Sequence, residues 1–329
     1  MRRALLALCL LTSPALAEPL LSIDITTLPA EDYDQTIAIA RAAGASTTSL
    51  SLAWDELEPN GTYAPPNDWP AIANAYYPAQ GFALTLTFSV IDTTADRRPT
   101  DLRDLPWDDP TLIDRFARHL TQVLTLMPDT TLHAIAIGNE VDGSLTSAAD
   151  IAAFAGFLTS ARKTVQILRP GVPVAAKLTA TTLLTDRARF APILNAGDAV
   201  FATYYPLTPG FLVRPPDAPV TDLPALVAAA MGKPLYLLEA GYPSAGCTTT
   251  PEDQTAFFSA LMETWATHQA DIPLISLSWL TDITPEATAA FAIYYGVADN
   301  CFARYLSSLG LRDAAGQPKP ALTLLSNAP

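Results

Sequence analysis

The sequence predicts an α/β fold, a single-domain (β/α)8 TIM barrel, and two observations lead to this prediction. First, eight short runs of apolar or β-branched residues follow one another along the 329-residue chain. Second, most of these runs are followed by a segment with apolar residues at helical spacing, and strands that alternate with helices pair in parallel. In chain order the predicted strands are residues 20–26, 47–53, 83–90, 133–138, 172–178, 199–204, 234–239 and 274–279.

The predicted helices alternate with these strands, and several begin at recognisable capping residues. Asp109-Pro110 precedes the first of the four clearest helical segments. A side chain that accepts a hydrogen bond at the N-cap, followed by proline in the first turn, is a typical helix start. The four segments are residues 114–126, 147–168, 223–231 and 252–268.

An open, doubly wound sheet is the alternative that fits the same alternation of strands and helices. Sheets of that kind that bind dinucleotides carry a glycine-rich turn after the first strand. Here residues 25–29 read Ile-Thr-Thr-Leu-Pro and contain no glycine. The closed barrel is therefore the better prediction, and no nucleotide cofactor is expected.

The N-terminus has the three regions of a secretory signal peptide. Two arginines precede an apolar run at residues 4–11, and small residues follow at Ala15-Leu16-Ala17. We therefore expect residues 1–17 to be a signal peptide and residues 18–329 to form the barrel domain, exported to the periplasm or the extracellular space. The apolar run is shorter than the roughly 20 residues that span a bilayer, so no membrane anchor is expected.

The expected mature chain is strongly acidic, which limits its partners. Removal of residues 1–17 takes away two of the 19 basic residues, which leaves 17 against 33 acidic ones and a net charge of −16. This charge repels nucleic-acid phosphates and anionic lipids. We therefore expect a neutral carbohydrate substrate and no nucleic-acid or membrane partner. A monomer is a separate expectation.

The chain has three cysteines, of which Cys9 lies in the predicted signal peptide. In an oxidising compartment Cys247 and Cys301 are expected to form one disulfide, and two buried free thiols are the alternative. Neither has the CxxC spacing of a metal or redox site, so no metal is expected there.

Two predicted strands end on a carboxylate, and these residues are the candidates for catalysis. The fourth strand runs into Gly138-Asn139-Glu140, and the seventh ends at Glu239. A carboxyl group at the end of a barrel strand lies at the mouth of the barrel. The 99 residues between the two glutamates correspond to three βα units of about 33 residues, close to the roughly 31 residues of an average unit.

Two carboxyl groups that face each other across the mouth meet the requirement for cleaving a glycosidic bond. One donates a proton to the leaving oxygen, and the other attacks the anomeric carbon when the groups stand about 5 to 5.5 Å apart. A separation of about 6.5 to 9.5 Å leaves room for a water molecule and leads to inversion. For either glutamate alone, a solvated charge or an ion-pair partner is the alternative.

Within their motifs, the two glutamates resemble the catalytic pair of the clan A retaining glycoside hydrolases. In that clan Asn-Glu at the end of the fourth strand supplies the acid/base, and a glutamate on the seventh strand supplies the nucleophile. The chain is most similar to the endo-β-1,4-galactanases, in SIDI at 22–25, TYYP at 203–206 and GYP at 241–243. Residues 239–244 are also similar to endo-β-1,3-glucanases. The resemblance implies a retaining hydrolase that acts on β-linked galactan or glucan.

The resemblance also implies a role for each matching residue. Glu140 would be the proton donor and Glu239 the nucleophile, while Asn139 would bind the sugar 2-hydroxyl. Tyr204 or Tyr205 would hold the carboxylate of the nucleophile in its ionised form.

Further residues are candidates for sugar binding. Trp279, which closes the eighth predicted strand, would form an apolar floor beneath one sugar face. Trp54 and Trp69 are candidate subsite platforms, and Asp24 on the first strand completes the set. For the aromatic residues, packing in the core is the alternative.

The sequence departs from the clan's pattern at two points. Most members carry an arginine on the second strand near the nucleophile, and residues 50–54 here contain none. Lys177 on the fifth strand is the candidate that would replace this charge, with a buried stem and a surface head as the alternative. After the eighth strand, Asp282 only loosely matches an acid of the galactanases.

Two other functions are compatible with the same residues. A transglycosylase would use the same glutamates and pass the sugar to another sugar rather than to water. A non-catalytic carbohydrate-binding barrel is the second alternative, and the missing arginine favours it. A serine hydrolase is not expected because the sequence has no Gly-x-Ser-x-Gly motif.

Overall fold

The computed structural model describes residues 18–59, 61–208, 212–297 and 299–327, so the predicted signal peptide and Cys9 lie outside the described residues. The described chain forms a (β/α)8 barrel, which confirms the predicted fold class. Its strands are β1 Leu20–Ile23, β2 Thr47–Ala53, β3 Ala83–Asp92, β4 Leu132–Asn139, β5 in two segments (Val174–Ala175 and Lys177–Thr179), β6 Val200–Tyr204, β7 Leu235–Ala240 and β8 Leu274–Leu277.

Neighbouring barrel strands pair in parallel, and β1 also pairs with β8, which joins the two ends of the sheet. β5 is interrupted at Ala176. Its first segment pairs with β4 and its second pairs with β6. Between β4 and β6 the sheet is therefore joined by the covalent chain at Ala176, because neither segment of β5 pairs with both neighbours. A two-residue strand, Ala95–Asp96, pairs antiparallel with the end of β3.

The helices follow the strands on the outside of the barrel. Asp109 accepts a hydrogen bond from a backbone N–H group at the start of its helix, as the sequence predicts, and Ser147 does the same at the start of another helix. The helix predicted at 223–231 begins earlier, at Ala218, because Pro219 starts its first turn and Pro224 lies inside it. The helices are α1 Tyr33–Ala42, α2 Trp54–Leu57, α3 Trp69–Gln80, α4 Pro110–Thr125, α5 Ala148–Leu168, α6 Ala180–Thr185, α7 Ala191–Ala196, α8 Ala218–Ala229, α9 Pro251–Ala266, α10 Pro285–Tyr295, α11 Asn300–Leu306 and α12 Pro320–Ser326.

Successive side chains on each strand alternate between the barrel interior and the helix layer. On β4, Ile135 and Ile137 belong to the main core, whereas Ala134 and Ala136 belong to a separate buried cluster. Phe201 on β6 joins the second cluster. The inside of the barrel is thus filled by side chains, as in other barrels of this kind, and a ligand can enter only at its end.

A disulfide joins Cys247, in the loop after β7, to Cys301 in α11, with an S–S distance of 2.00 Å and a Cα–Cα distance of 5.2 Å. This confirms the predicted pairing. Within the part of the chain that the structure describes, no helix is both long and apolar enough to cross a membrane.

Candidate active site

The two glutamates at the strand ends line one cavity at the mouth of the barrel. Glu140 directly follows β4, and Glu239 lies near the end of β7. The cavity has a volume of about 350 Å³. Apolar walls come from α10 and α11 and from the segments beside them: Phe291, Tyr295, Val297, Phe302, Tyr305, Leu306 and Leu309.

Glu140 accepts hydrogen bonds on both of its carboxyl oxygens. Thr203 Oγ1 donates to Oε1 at 2.7 Å, and Thr93 Oγ1 donates to Oε2 at 2.9 Å. Burial raises the pKa of Glu140 to about 7, and the negative charge of Glu239 adds to the rise. A carboxyl group with a pKa near neutrality can hold a proton and release it within one reaction cycle.

The backbone at Glu140 is left-handed, with φ 44° and ψ 49°. For a residue other than glycine this conformation costs about 1 kcal/mol or more. Two residues earlier Gly138 has φ 85°, and a Cβ there would lie 2.5 Å from Val141 Cγ1. The glycine of the Gly-Asn-Glu motif is therefore required by the turn that carries Glu140 from β4 to the cavity.

Glu239 is held by a cation and a phenol. Lys177 Nζ donates to Oε1 at 2.8 Å, and Tyr205 OH donates to Oε2 at 3.0 Å. The Lys177 side chain is only 7% exposed, so this ion pair is largely shielded from solvent. Burial raises the pKa of Tyr205 well above its usual range, with a further rise from the charge of Glu239, so the phenol keeps the proton that it donates.

Gly241 makes room for the Tyr205 ring. A Cβ at position 241 would lie 2.8 Å from Tyr205 Cε1 and 3.0 Å from the carbonyl oxygen of Ser278. Any larger residue would displace the ring, so the glycine of the Gly-Tyr-Pro motif supports the hydrogen bond to Glu239.

Thr203 links the two glutamates. It pairs in register with Glu239 across β6 and β7, and neighbouring strands lie about 4.8 Å apart. Its hydroxyl donates to Glu140. The two carboxyl groups therefore lie on the same rim of the barrel, on either side of one threonine.

Asn139 lines the cavity beside Glu140. Its Nδ2 donates to Asp92 Oδ1 at 2.9 Å. Its Oδ1 is buried, and no hydrogen-bond partner for it occurs among the described residues. An unpaired buried acceptor is unfavourable, and a ligand hydroxyl in the cavity would satisfy it.

Trp279 and Asp24 lie at different depths. Trp279 lines the cavity and stacks on Phe291, with the ring centroids 6.1 Å apart. Asp24 is not among the residues that line the cavity and accepts a hydrogen bond from Ser276 Oγ at 3.2 Å, so its contact with sugar stays a prediction. Burial raises the pKa of Asp24 to about 6, and the charge of Glu239 contributes to the rise.

Tyr204 and Trp54 lie in the core instead, so Tyr205 and not Tyr204 holds the nucleophile, and Trp54 is not a subsite platform. Tyr204 is 1% exposed and donates its hydroxyl to Asp222 at 2.9 Å. Trp54 is fully buried, and its Nε1 donates to Glu58 Oε2 at 2.6 Å. Tyr204 and Tyr205 point to opposite sides because successive residues at a strand end alternate in direction.

Trp69 and Asp282 also lie outside the cavity wall. Trp69 is half-exposed at the start of α3. Asp282 accepts hydrogen bonds from Lys319 Nζ at 2.7 Å and from the N–H of Gly310 at 2.8 Å. It therefore fastens the C-terminal segment rather than a ligand.

Several wall residues are not predicted from the sequence. Thr93 lies in the turn after β3, where no motif marks it. The aromatic residues of α10 and α11 recur at spacings of three or four, a pattern that is typical of core packing as well as of a cavity wall. Across the described ranges, no group of three or more His, Cys, Asp or Glu residues is arranged to hold a metal.

No known protein-family profile and no curated protein sequence matches the chain. The fold, however, is that of solved glycoside hydrolase barrels. An exo-β-1,4-mannosidase from Opitutaceae bacterium strain TAV5 superposes with a TM-score of 0.70 and 17% identity, over 94% of this chain and 58% of that one. GH5_18 from Streptomyces cattleya, in complex with GlcNAc, has a TM-score of 0.70 and 15% identity, over 95% of this chain and 80% of that one.

A family 39 glycoside hydrolase from Bacteroides cellulosilyticus WH2 gives a TM-score of 0.69 and 16% identity, over 93% of this chain and 62% of that one. At these identities the likeness shows the fold alone. None of the three proteins is described as a galactanase or a β-glucanase, so the substrate part of the resemblance stays a prediction.

Proposed function

We propose that this protein is a retaining β-glycosidase, with Glu140 as acid/base and Glu239 as nucleophile. The observation that carries the proposal is the contrast between two glutamates in one cavity. Glu140 is held by two hydroxyls and has a pKa of about 7, whereas Glu239 is held by the Lys177 ammonium and the Tyr205 phenol. Carboxyl groups in such different environments suit an acid and a nucleophile.

In the first step an oxygen of Glu239 attacks the anomeric carbon of the sugar. The bond from that carbon to the leaving oxygen breaks, and Glu140 gives its proton to that oxygen. A glycosyl ester now occupies Glu239, so its negative charge, which adds to the effect of burial on the pKa of Glu140, is gone. The ionised form of Glu140 is therefore favoured when the second step requires a base.

In the second step Glu140 takes a proton from water, and the water oxygen attacks the anomeric carbon. The ester bond breaks and returns the electron pair to Glu239 as a carboxylate. Lys177 is positioned to stabilise that returning charge at 2.8 Å. Lys177 would thus replace the arginine that is missing from the second strand. The missing arginine is the feature that favours a non-catalytic sugar-binding barrel.

Aromatic walls and a partly buried pair of carboxyl groups suit a neutral sugar in this cavity. The unpaired Oδ1 of Asn139 would accept a hydrogen bond from the 2-hydroxyl. β-Galactosides and β-glucosides are candidates through the motif resemblance. β-Mannosides join them because a barrel of the same fold is an exo-β-1,4-mannosidase.

Alanine variants of the two glutamates test the proposal. The substrates are p-nitrophenyl β-mannoside, β-galactoside and β-glucoside, with galactan, β-1,3-glucan, β-1,4-glucan and mannan as polymers. Glu140→Ala and Glu239→Ala are each expected to lose about a thousandfold or more of kcat on substrates whose leaving group needs a proton. Azide should rescue Glu239→Ala with an inverted glycosyl azide and Glu140→Ala with a retained one.

Glu252→Ala, at an exposed position in the first turn of α9, is the matched control and should turn over like the wild type. Ordinary turnover in both active-site variants would refute the assignment. Sugar binding without cleavage by the wild-type protein would favour the non-catalytic alternative instead.

We also propose that the protein is exported and monomeric. The signal pattern at residues 1–17 supports export, and so does a disulfide, which persists in oxidising compartments. N-terminal sequencing of the secreted protein and its hydrodynamic size would test both statements.

A further inference from the structure

We propose that α10 and α11 close one end of the active-site cavity, so that the enzyme removes single sugars from the non-reducing end of its substrate. The inference rests on the proposed glycosidase function and names the part of a sugar chain that the site accepts. The cavity, at about 350 Å³, is near the lower end of the range of about 300 to 1,000 Å³ that ligand pockets have. This volume suits one sugar ring rather than several linked rings.

Helix α10 bridges the mouth of the barrel from β8 to β3. It begins after β8, and the hydroxyl of Tyr294, near its end, donates to the carbonyl oxygen of Asp92 at 2.8 Å. Asp92 is the last residue of β3, and β1 and β2 lie between β8 and β3 in the closed sheet. None of the described residues that line the cavity belongs to β1 or β2. The helix therefore shuts off that side of the mouth.

A series of aromatic contacts continues this wall from β8 to the end of β6. Six rings that line the cavity contact one another in turn, with centroids between 5.5 and 6.3 Å apart: Trp279, Phe291, Tyr295, Phe302, Tyr305 and Tyr205. The disulfide between Cys247 and Cys301 fastens the start of α11 to the loop after β7. The wall is therefore packed along its length and attached to the barrel on both sides.

The cavity opens on the opposite side, next to Glu140. Within the described part of its lining, only Thr94 and Thr181 are exposed. Thr94 follows β3 and Thr181 follows β5, and these strands are the two neighbours of β4, which leads into Glu140. The leaving group must depart on this side, because Glu140 gives it a proton and later takes one from the water that replaces it. The sugar that Glu239 attacks consequently lies toward the closed wall.

A second sugar beyond the reacting ring would meet this wall. In an internal sugar of a chain, a hydroxyl position away from the leaving group carries the preceding sugar. The rings of Phe291 and Tyr295 occupy that side of the cavity. Burial raises the pKa of Tyr295, with the charge of Glu140 as the next cause, which agrees with a phenol beside the reacting groups. Only a terminal sugar, whose hydroxyls on that side are free, therefore fits between the wall and the glutamates.

Two aryl glycosides with the same leaving group test the proposal. One is the p-nitrophenyl β-glycoside of mannose, galactose or glucose. The other is the p-nitrophenyl β-glycoside of the matching β-1,4-linked disaccharide, in which sulfur replaces the oxygen between the two sugars. Sulfur accepts a proton poorly, so the terminal sugar is not removed first, and p-nitrophenol appears only if both sugars fit beyond the reacting bond. For the wild type, kcat/KM is expected to be at least about a hundredfold lower for the thio-disaccharide glycoside than for the monosaccharide glycoside.

The variant Phe291→Ala/Tyr295→Ala removes two rings of the wall and is expected to raise the ratio of these two kcat/KM values, thio-disaccharide to monosaccharide, about tenfold or more. Ile293→Ala is the matched control, because Ile293 lies on the same helix, is 82% exposed and does not line the cavity, so the ratio should keep its wild-type value. If the double variant does not fold, Phe291→Ala and Tyr295→Ala carry this arm singly.

Comparable rates of p-nitrophenol release from the two glycosides by the wild type would overturn the inference and leave the proposed function in place. An unchanged ratio in a folded wall variant would likewise overturn the role of α10. A wild-type protein that cleaves neither type of glycoside would overturn the proposed function, and this inference with it.

Discussion

Replacing Thr203 by valine is expected to move the alkaline limb of the pH–activity profile upward. Thr203→Val removes the hydroxyl that donates to Glu140 at 2.7 Å and keeps the branched shape of the side chain. A hydrogen bond to a carboxylate contributes about 1.5 to 3 kcal/mol, and one pKa unit corresponds to about 1.4 kcal/mol. We expect a rise of about one unit, because the Thr93 hydroxyl still donates to the other oxygen.

The direction of the pKa change depends on which form of Glu140 the hydroxyl stabilises. A donor to the carboxylate lowers the pKa, so its removal raises the pKa from about 7. Glu140 must be protonated to release the leaving group, so kcat/KM falls as the pH rises through that pKa. The alkaline limb is therefore expected to move from near pH 7 toward about pH 8.

The assay measures kcat/KM between about pH 5 and about pH 9 on the β-1,4-linked disaccharide (mannobiose, galactobiose or cellobiose) whose sugar the wild type cleaves fastest as a p-nitrophenyl β-glycoside. A disaccharide is the suitable substrate because its leaving group needs a proton more than p-nitrophenolate does. Thr85→Val, a buried threonine near the start of β3, is the control and should leave the limb in place. A limb that stays put or moves down in Thr203→Val would refute both the role of this hydroxyl and the assignment of Glu140 as the acid.

Tyr205→Phe is expected to lower kcat/KM by about tenfold to a hundredfold, because a donor to the nucleophile is lost, whereas Tyr204→Phe should lower only the free energy of unfolding, by about 1 kcal/mol. Kinetics and urea unfolding separate the two, and equal kinetic losses would contradict the placement of the rings. Lys177→Met is expected to lower kcat at least about a hundredfold and the unfolding free energy by roughly 3 kcal/mol, because it leaves a partly buried carboxylate without its cation. A fully active Lys177→Met would rule out a role for the ion pair. The Cys247→Ser/Cys301→Ser variant should lose up to about 4 kcal/mol of stability, because the disulfide closes a 54-residue loop, and an unchanged thermal midpoint would disprove this.

The barrel could be predicted because each strand is a short run of apolar, small or β-branched residues and most of these runs are followed by a segment with helical spacing. β2 has the predicted bounds, since Gly44 and Ser46 precede it and α2 begins directly after it at Trp54. The interruption of β5 at Ala176 could not be predicted, because the run 172–178 is continuously apolar up to Lys177. β8 ends at Leu277, two residues before the predicted end, because the chain turns there toward the cavity that Trp279 lines.

The placement of Glu140 and Glu239 at one rim follows from strand direction alone, since the carboxyl ends of parallel barrel strands share a face. The choice between Tyr204 and Tyr205 depends on a register of one residue, which a sequence motif does not fix. Trp54 turns inward because α2 begins at that residue, and a helix so short leaves no periodicity to read. The wall from α10 and α11 comes from long-range packing that local patterns do not specify.

At position 140 the demands of architecture and of reactivity conflict. The left-handed backbone there suits glycine, and removing a carboxyl group from water is unfavourable as well. Glu140→Gly would relieve both penalties, so heat resistance alone gives no reason to keep an acid at this turn. A glutamate that lowers the stability of this turn is explained by its proposed role as acid/base, which glycine could not fill.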